Sequence, residues 1–271
     1  MTAAMLDAAQ RSEGDALNAL IAAVTPRVYA LAMRHFLDHD DAADATQDIL
    51  WKVVQGLPGF RRESRIETWV YRVATNHLLN AVRGRREDAS LDDGLAALAD
   101  GLAASPYDGP DAALLEEEVK VACTTSLLLC LSRPLRLAYV VAEILDLPGP
   151  VAADVLEISP AALRKRLEEA RRIVRGFFRG QCGIATPTNP CRCSRQISSS
   201  LDEGWLEERR PRHGRLAPVG PSLSIQPRDI DGLIDEVAIF RSQADIPVSG
   251  DFVAQVQVAI RRRLAVLDLH P

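Results

Sequence analysis

Apolar residues recur at intervals of three and four through most of this chain. Over 15–36 they fall at Leu17, Leu20, Ile21, Val24, Val28, Leu31 and Ala32. That is the stripe of an amphipathic helix, and Pro26 is expected to kink it or split it in two. A polar turn follows at 38–41. The next stripe, Ala45, Ile49 and Val53, predicts a helix over 41–54, with Asp44, Gln47, Asp48 and Lys52 off its apolar face. Leu57-Pro58-Gly59 stops it. Ser64, with Glu67 three residues on, reads as a capping box. It opens a helix to about Arg83, closed by Gly84, with apolar positions Ile66, Trp69, Val70, Val73, Leu78 and Val82. Trp69 lies in that stripe and reads as core. Tyr71, two positions on, is expected to face solvent.

From 88 to 110 the periodicity weakens and Gly, Pro, Asp and Ser accumulate, which predicts a flexible linker. Helices resume at Ala112. The stretch 127–144 holds one or two helices around Pro134, 148–150 is a turn and 151–156 a short helix. Ile158-Ser159-Pro160 then places Ser at an N-cap and Pro at the first helical position of a helix running to about Phe178. A short helix, a tight turn and an N-capped basic helix make the pattern of a helix-turn-helix. Val151, Val155, Ile158, Leu163 and Leu167 would form its core; Ala161, Ala162, Arg164, Lys165 and Glu168 would face outward. The small residues at the leading end let the backbone approach a groove, and the cations behind meet phosphates. Past Gly180 the chain turns polar and proline-rich. Two apolar patterns close it, one over 228–241 and one over 251–267. Each is too short to be a stable helix alone, so the tail is expected to bury these faces on each other and on the helices upstream and to tune their activity, a tethered helical hairpin without such a role being the other reading.

Composition narrows the fold. Hydrophobic residues make up 47% of the 271, yet only 5% are aromatic, and helix formers dominate. The expected fold is all-α. Two small helical domains, 12–87 and 112–180, are joined by a flexible acidic linker, 88–111, and followed by a partly ordered helical extension, 181–271. The net charge of −5 conceals two basic blocks. In 60–86 seven arginines stand against two acids, and in 159–180 seven cations stand against two acids, while 87–118 carries ten acids and no Lys or Arg. Two basic blocks around an acidic spacer suggest two contacts with one polyanion.

There is no phosphate loop, nucleophile elbow or HExxH, which argues against an enzyme. No stretch approaches the roughly 20 apolar residues of a membrane span. Nothing at Met1 resembles a secretory signal, and five cysteines in a chain this long suggest no disulfide framework, so a cytoplasmic, reduced protein is expected. Cys123 and Cys130 lie in apolar helical surroundings and read as core. Cys182, Cys191 and Cys193 gather three thiols within twelve residues and could ligate zinc. A tetrahedral site wants a fourth ligand, and the nearest His downstream is His213. A redox-sensitive thiol pair and plain small residues are the other readings. No other cofactor is implied.

The two basic blocks also carry a family signature. "DAADATQDILWKVV" followed by "FRRESRIETWVYRVATNHLLNAVR" resembles the second conserved region of the extracytoplasmic-function group of bacterial sigma factors. "LSRPLRLAYVVAEILDLPGPVAADVLEISPAALRKRLEEARRIVRGFF" resembles their fourth region, in the right order and at the right spacing. The resemblance implies a non-enzymatic subunit that binds core RNA polymerase and directs initiation at promoter DNA by recognising −35 and −10 elements and opening the strands. It implies that Asp44, Gln47, Asp48 and Trp51 meet polymerase. It places Phe60, Arg61, Arg62 and Ser64 in the loop that accepts a flipped −10 base, and Trp69, Tyr71, Arg72, Asn76, His77 and Asn80 on the helix facing that strand. Rings and arginine planes suit captured bases, at roughly 1–3 kcal/mol per stacked base. Ser159, Ala161, Ala162, Arg164, Lys165, Arg166, Glu168 and Arg171 would read the −35 element. Here Glu157 stands where the family's turn usually has Gly, Glu168 and Glu169 where it is often basic or neutral, and Asn80 where Asp is common. An anti-sigma protein is left open as a further partner, and no membrane insertion is implied. The alternative is a helix-turn-helix regulator that acts without joining polymerase; the block 41–86 argues against it, because such a regulator has no use for a second basic-aromatic helix.

Overall fold

The computed structural model describes residues 2–36, 38–80, 91–202, 236–241 and 248–268. Among them every element is helical, apart from one isolated backbone bridge between Cys182 and Cys191. The first unit consists of α1 (Ala3–Gln10), α2 (Gly14–Phe36), α3 (His39–Gly56) and α4 (Ile66–Asn80). Helix α2 lies at its centre and packs against the other three. Leu20, Ile21, Val24, Val28 and Leu31 of α2 are buried with Ile49, Leu50 and Val53 of α3 and Val70, Ala74 and Leu78 of α4. Asp38 caps α3 by accepting from the backbone N–H groups of Asp40 and Asp41 at 2.9 and 3.0 Å.

Three expectations for this unit are corrected. Pro26 lies inside α2 and does not end it. The apolar stripe is buried on both sides of the proline, and five such side chains at about 1.5–3 kcal/mol each outweigh the roughly 3 kcal/mol that an interior proline costs. Helix α2 is also long and apolar enough to cross a membrane, contrary to the sequence expectation; here that apolar surface is the protein's own core. No capping box forms at Ser64: α4 starts at Ile66, and the Ser64 hydroxyl donates to the Arg65 carbonyl at 3.4 Å. The end of this helix, expected near Arg83, lies outside the described residues.

The second unit runs from α5 (Leu91–Ala103) through α6 (Ala112–Leu129), α7 (Arg133–Tyr139), a π-helical turn at Val140–Ile144, α8 (Gly149–Val155) and α9 (Pro160–Gly180). The expected linker thus contains a helix. Helix α5 packs on α10 (Cys193–Asp202), which also covers α6. The Gln196 amide donates to the Leu98 carbonyl at 3.1 Å, and the Ser198 hydroxyl to that of Ser105 at 3.0 Å. Leu115, Val119 and Ile197 form a small separate core there. From the tail, α11 (Glu236–Arg241) docks on α9 and the π turn, and α12 (Gly250–Asp268) docks on α2 and α3. The expected helix over 228–241 is described only from Glu236.

The helix-turn-helix forms as expected. The Ser159 hydroxyl accepts from the Ala162 N–H at 3.1 Å, with Pro160 opening α9. Helix α8 ends in paired backbone bonds, Ile158 N–H to Ala153 O at 3.0 Å and Glu157 N–H to Asp154 O at 3.2 Å. This Schellman geometry puts Glu157 at φ 52°, a left-handed position that normally takes glycine.

The units meet around Arg136, which is 2% exposed. Its guanidinium donates to the carbonyls of Leu128, Leu129 and Leu131 at the end of α6, and to that of His35 at the end of α2. His35 is buried, and its Nδ1 has no hydrogen-bond partner. Burial, with Arg136 and Arg133 nearby, lowers its imidazole from 6.5 to about 3.

The folded chain therefore holds His35 neutral where the unfolded chain protonates it. Below about 6.5 the unfolded state binds the extra proton, so stability falls as pH drops toward 3, by up to about 1.4 kcal/mol per pH unit from this group. Urea denaturation between pH 6.5 and 5, ahead of most carboxylates, should show the slope, and His35→Gln should flatten it. At Glu157, Gly and Ala variants both remove the side chain, so their difference isolates the backbone. The Gly variant should be more stable by about 1 kcal/mol in the same assay, and an Ala variant equal to it would contradict the left-handed strain.

Candidate nucleic-acid interface

Helix α9 owes its orientation to the buried Leu163, Leu167, Ala170 and Val174, which pin one side to the core. The opposite side presents Ala161, Arg164, Lys165 and Glu168 to solvent, with Ser159 exposed at the cap and Ala162 and Arg166 half-buried. Two small side chains at the leading end and two cations a turn behind suit a groove edge. Arg171 behaves differently. Its Nε donates to a Glu143 carboxylate oxygen at 3.1 Å, so this cation is taken up within the fold. Arg172 pairs with Glu169 at 2.7 Å. Of the second basic block, Arg164 and Lys165 are the exposed cations on the leading turns.

In the first unit, the loop before α4 is held from below by α1. The Gln10 amide donates to the carbonyls of Leu57 and Phe60 at 3.1 and 3.0 Å. Arg62, at φ 61°, donates to the Gln10 side-chain amide oxygen Oε1 at 2.8 Å and pairs with Asp7. Arg61 is exposed and Ser64 half-buried. Phe60 is buried, its ring 5.2 Å from that of Trp69, so neither ring stands free of the other. Trp69 also leans on the end of α3. A Cβ added at Gly56 would lie 3.1 Å from its ring, so a side chain there would push the ring aside by a few tenths of an ångström.

Tyr71 is corrected outright. It is buried, not exposed, because α4 is packed by α2 and α3 on one side and by α7 and α8 on another, widening its apolar face. The remaining polar residues share one edge of α4. Arg72 pairs with Asp154, the Thr75 hydroxyl donates to the Val155 carbonyl at 2.9 Å, and the Asn76 amide donates to Glu157 at 2.7 Å. Half of that edge thus lies against the turn of the helix-turn-helix. His77 meets Lys52 at 3.0 Å, and burial followed by Lys52 lowers its imidazole. Asn80, exposed, donates back to the Asn76 carbonyl at 2.8 Å.

On α3, Asp44 and Asp48 are exposed, and Gln47 and Trp51 are half-buried on the same side. Arg263 of α12 comes to this face. It lies 3.4 Å from Asp48 and 5.7 Å above the Trp51 ring. Sequence reasoning missed this contact, although Arg263 sits one step from the apolar stripe of its helix.

The thiols of Cys182, Cys191 and Cys193 lie close enough to one another and to that of Cys123 to act on each other electrostatically. Cys182 packs toward the main core and Cys193 toward the small core beside α10, while Cys191 accepts from Gln196 at 3.8 Å. Among the described residues no group of three His, Cys, Asp or Glu side chains is placed to hold a metal; His213 lies outside them. Burial, followed by the neighbouring thiols, raises the thiols of Cys123 and Cys191 and pushes Cys193 up to about 12.

Residues 20–87 match the family described as Sigma-70 region 2. The RNA polymerase sigma-H factor of Pseudomonas aeruginosa is 28% identical over 180 residues, covering 63% of this chain and 90% of that protein. The ECF RNA polymerase sigma-E factor of Escherichia coli K12 is 26% identical over 174 residues, with the same coverage. A solved structure of CnrH in complex with the cytosolic domain of CnrY aligns with a TM-score of 0.45 at 21% identity, over 73% of this chain and 96% of that one. A region 2 match in the first unit, relatives matched over nine-tenths of their length and an N-capped helix-turn-helix in the second unit agree, and the chain belongs to the extracytoplasmic-function type of RNA polymerase sigma factors.

Proposed function

We propose that this sigma factor meets core polymerase through Asp44, Gln47, Asp48 and Trp51 of α3, and the −35 element through the leading turns of α9. The −10 strand falls to Arg61, Arg62, Ser64, Trp69, Arg72, Asn76, His77 and Asn80. The observation that carries this reading is the α9 surface, where Ala161, Arg164 and Lys165 stand exposed behind a capped N-terminus while the rest of the helix is anchored. Phe60 and Tyr71 are set aside because they are core. A sigma factor acts in the cytoplasm as a regulatory subunit, with polymerase and promoter DNA as its partners. An anti-sigma protein, if it used α3, would have to compete with α12 for that face.

Run-off transcription with added core polymerase tests the whole reading: promoter-specific initiation is expected, whereas a regulator that never joins polymerase gives none. Arg164→Ala and Lys165→Ala should each weaken promoter binding by about 1–3 kcal/mol where a base contact is lost, and less, with a shallower salt dependence, where only a phosphate is lost. Binding unaffected by both would move the −35 contact off α9.

Arg72→Ala with Asn76→Ala should lower transcription from a duplex promoter more than from a pre-melted bubble, because the lost contacts serve opening and capture. Equal losses on the two templates would remove these residues from strand opening.

A further inference from the structure

The tail adds to the molecule something that neither DNA contact requires. In α12, Phe252, Val256, Ile260 and Leu264 recur every fourth residue and form one stripe. Val256 and Ile260 are 0% and 1% exposed against α2 and α3, and the Phe252 ring lies 5.2 Å from that of Tyr29. The Gln257 amide donates to the Asn18 carbonyl at 2.9 Å, fixing the register along α2. At the far end Arg263 engages Asp48 and covers Trp51. Meanwhile α11 grips the other unit. Phe240 is buried with its ring 5.6 Å from Tyr139, and Arg241 donates to the Glu143 carbonyl at 2.7 Å and to Asp146 at 2.6 Å.

We propose that α12 is an inhibitor in cis, holding the α3 face that polymerase must use, so that polymerase binds only after α12 leaves. This deepens the polymerase reading of α3 and rests on it. The argument is one of single occupancy. The Asp48 carboxylate and the Trp51 ring face cannot serve Arg263 and a polymerase surface together. The grip is mainly apolar: an exposed pair and a cation over a ring contribute little, whereas the two fully buried aliphatic side chains must be pulled into water for release. A helix of this length is marginal when free, so α12 is ordered by docking and its release costs it that order. Since α11 sits on the second unit while α12 sits on the first, the tail also bridges the two DNA-binding halves in the arrangement where Arg72 and Asn76 face α8 instead of a strand.

The test uses the full chain with Val256→Asp and Ile260→Asp together. Hydrogen exchange over 250–268 reports whether α12 has undocked, and binding to core polymerase is titrated in parallel. If α12 covers α3 about nine-tenths of the time, the undocked variant binds polymerase about tenfold more tightly than the parent. A synthetic peptide of residues 250–268 added in trans should reverse that gain, and the same peptide with both aspartates should not. Free exchange over 250–268 with unchanged affinity overturns the inference and leaves the polymerase reading standing. If neither chain binds polymerase, the reading of α3 falls and the inference falls with it.

Discussion

The guanidinium of Arg136 is the interaction on which the relation between the two units depends. It is buried at the point where the carboxyl ends of α2 and α6 converge, and it donates to carbonyls from both. Each helix end leaves carbonyls without an intrahelical partner and carries the negative end of a dipole. One cation answers both. Taking that charge out of water costs several kcal/mol, and the cost is met only while all of those carbonyls stay in place. Burial, seconded by this cation, keeps His35 from ionising, so the junction tolerates one positive charge and not two.

With the units held at this point, the polar edge of α4 comes to rest on α8, while the leading turns of α9 stay exposed. The two faces proposed to bind DNA are therefore in different states. Helix α9, proposed for the −35 element, is presented; α4, proposed for the −10 strand, is turned partly inward, with Arg72, Thr75 and Asn76 bonded to the helix-turn-helix that follows it. Glu157 contributes on both counts. Its strained backbone shapes the turn before α9, and its side chain reaches back to Asn76.

How much of this was legible in the sequence follows from the range of the interactions. Helices α2, α3 and α9 were readable because their stripes, and the Ser159 cap of α9, are encoded within a few residues of where they act. Glu157 was legible as a misfit, and the structure puts it in the left-handed position that the misfit implied. Helix α5 was not readable: its partner α10 lies about a hundred residues further on, and only tertiary contact makes the acidic segment helical. Tyr71 failed for a related reason, since a second packing surface on α4 comes from α7 and α8, which a single stripe cannot announce. For the cysteines, spacing gave the proximity of Cys182, Cys191 and Cys193 but not that of Cys123, which tertiary packing of α6 brings near them.

Charge explains how such a closed arrangement can still open. Most arginines of the two basic blocks that have carboxylate partners hold them near the surface: Arg62 with Asp7, Arg72 with Asp154, Arg172 with Glu169. Pairs of this kind contribute about 0–1 kcal/mol each, because water competes for both ends and salt screens them. Replacing a carboxylate by a phosphate exchanges one weak partner for another, on a polyanion that gains further from releasing its counterions. The ion pair that holds Arg72 of α4 to the helix-turn-helix is therefore cheap to break, while the contact at Arg136 is not. A molecule built this way separates its units by sacrificing surface pairs first, and any path that begins by pulling Arg136 from its carbonyls meets the higher barrier.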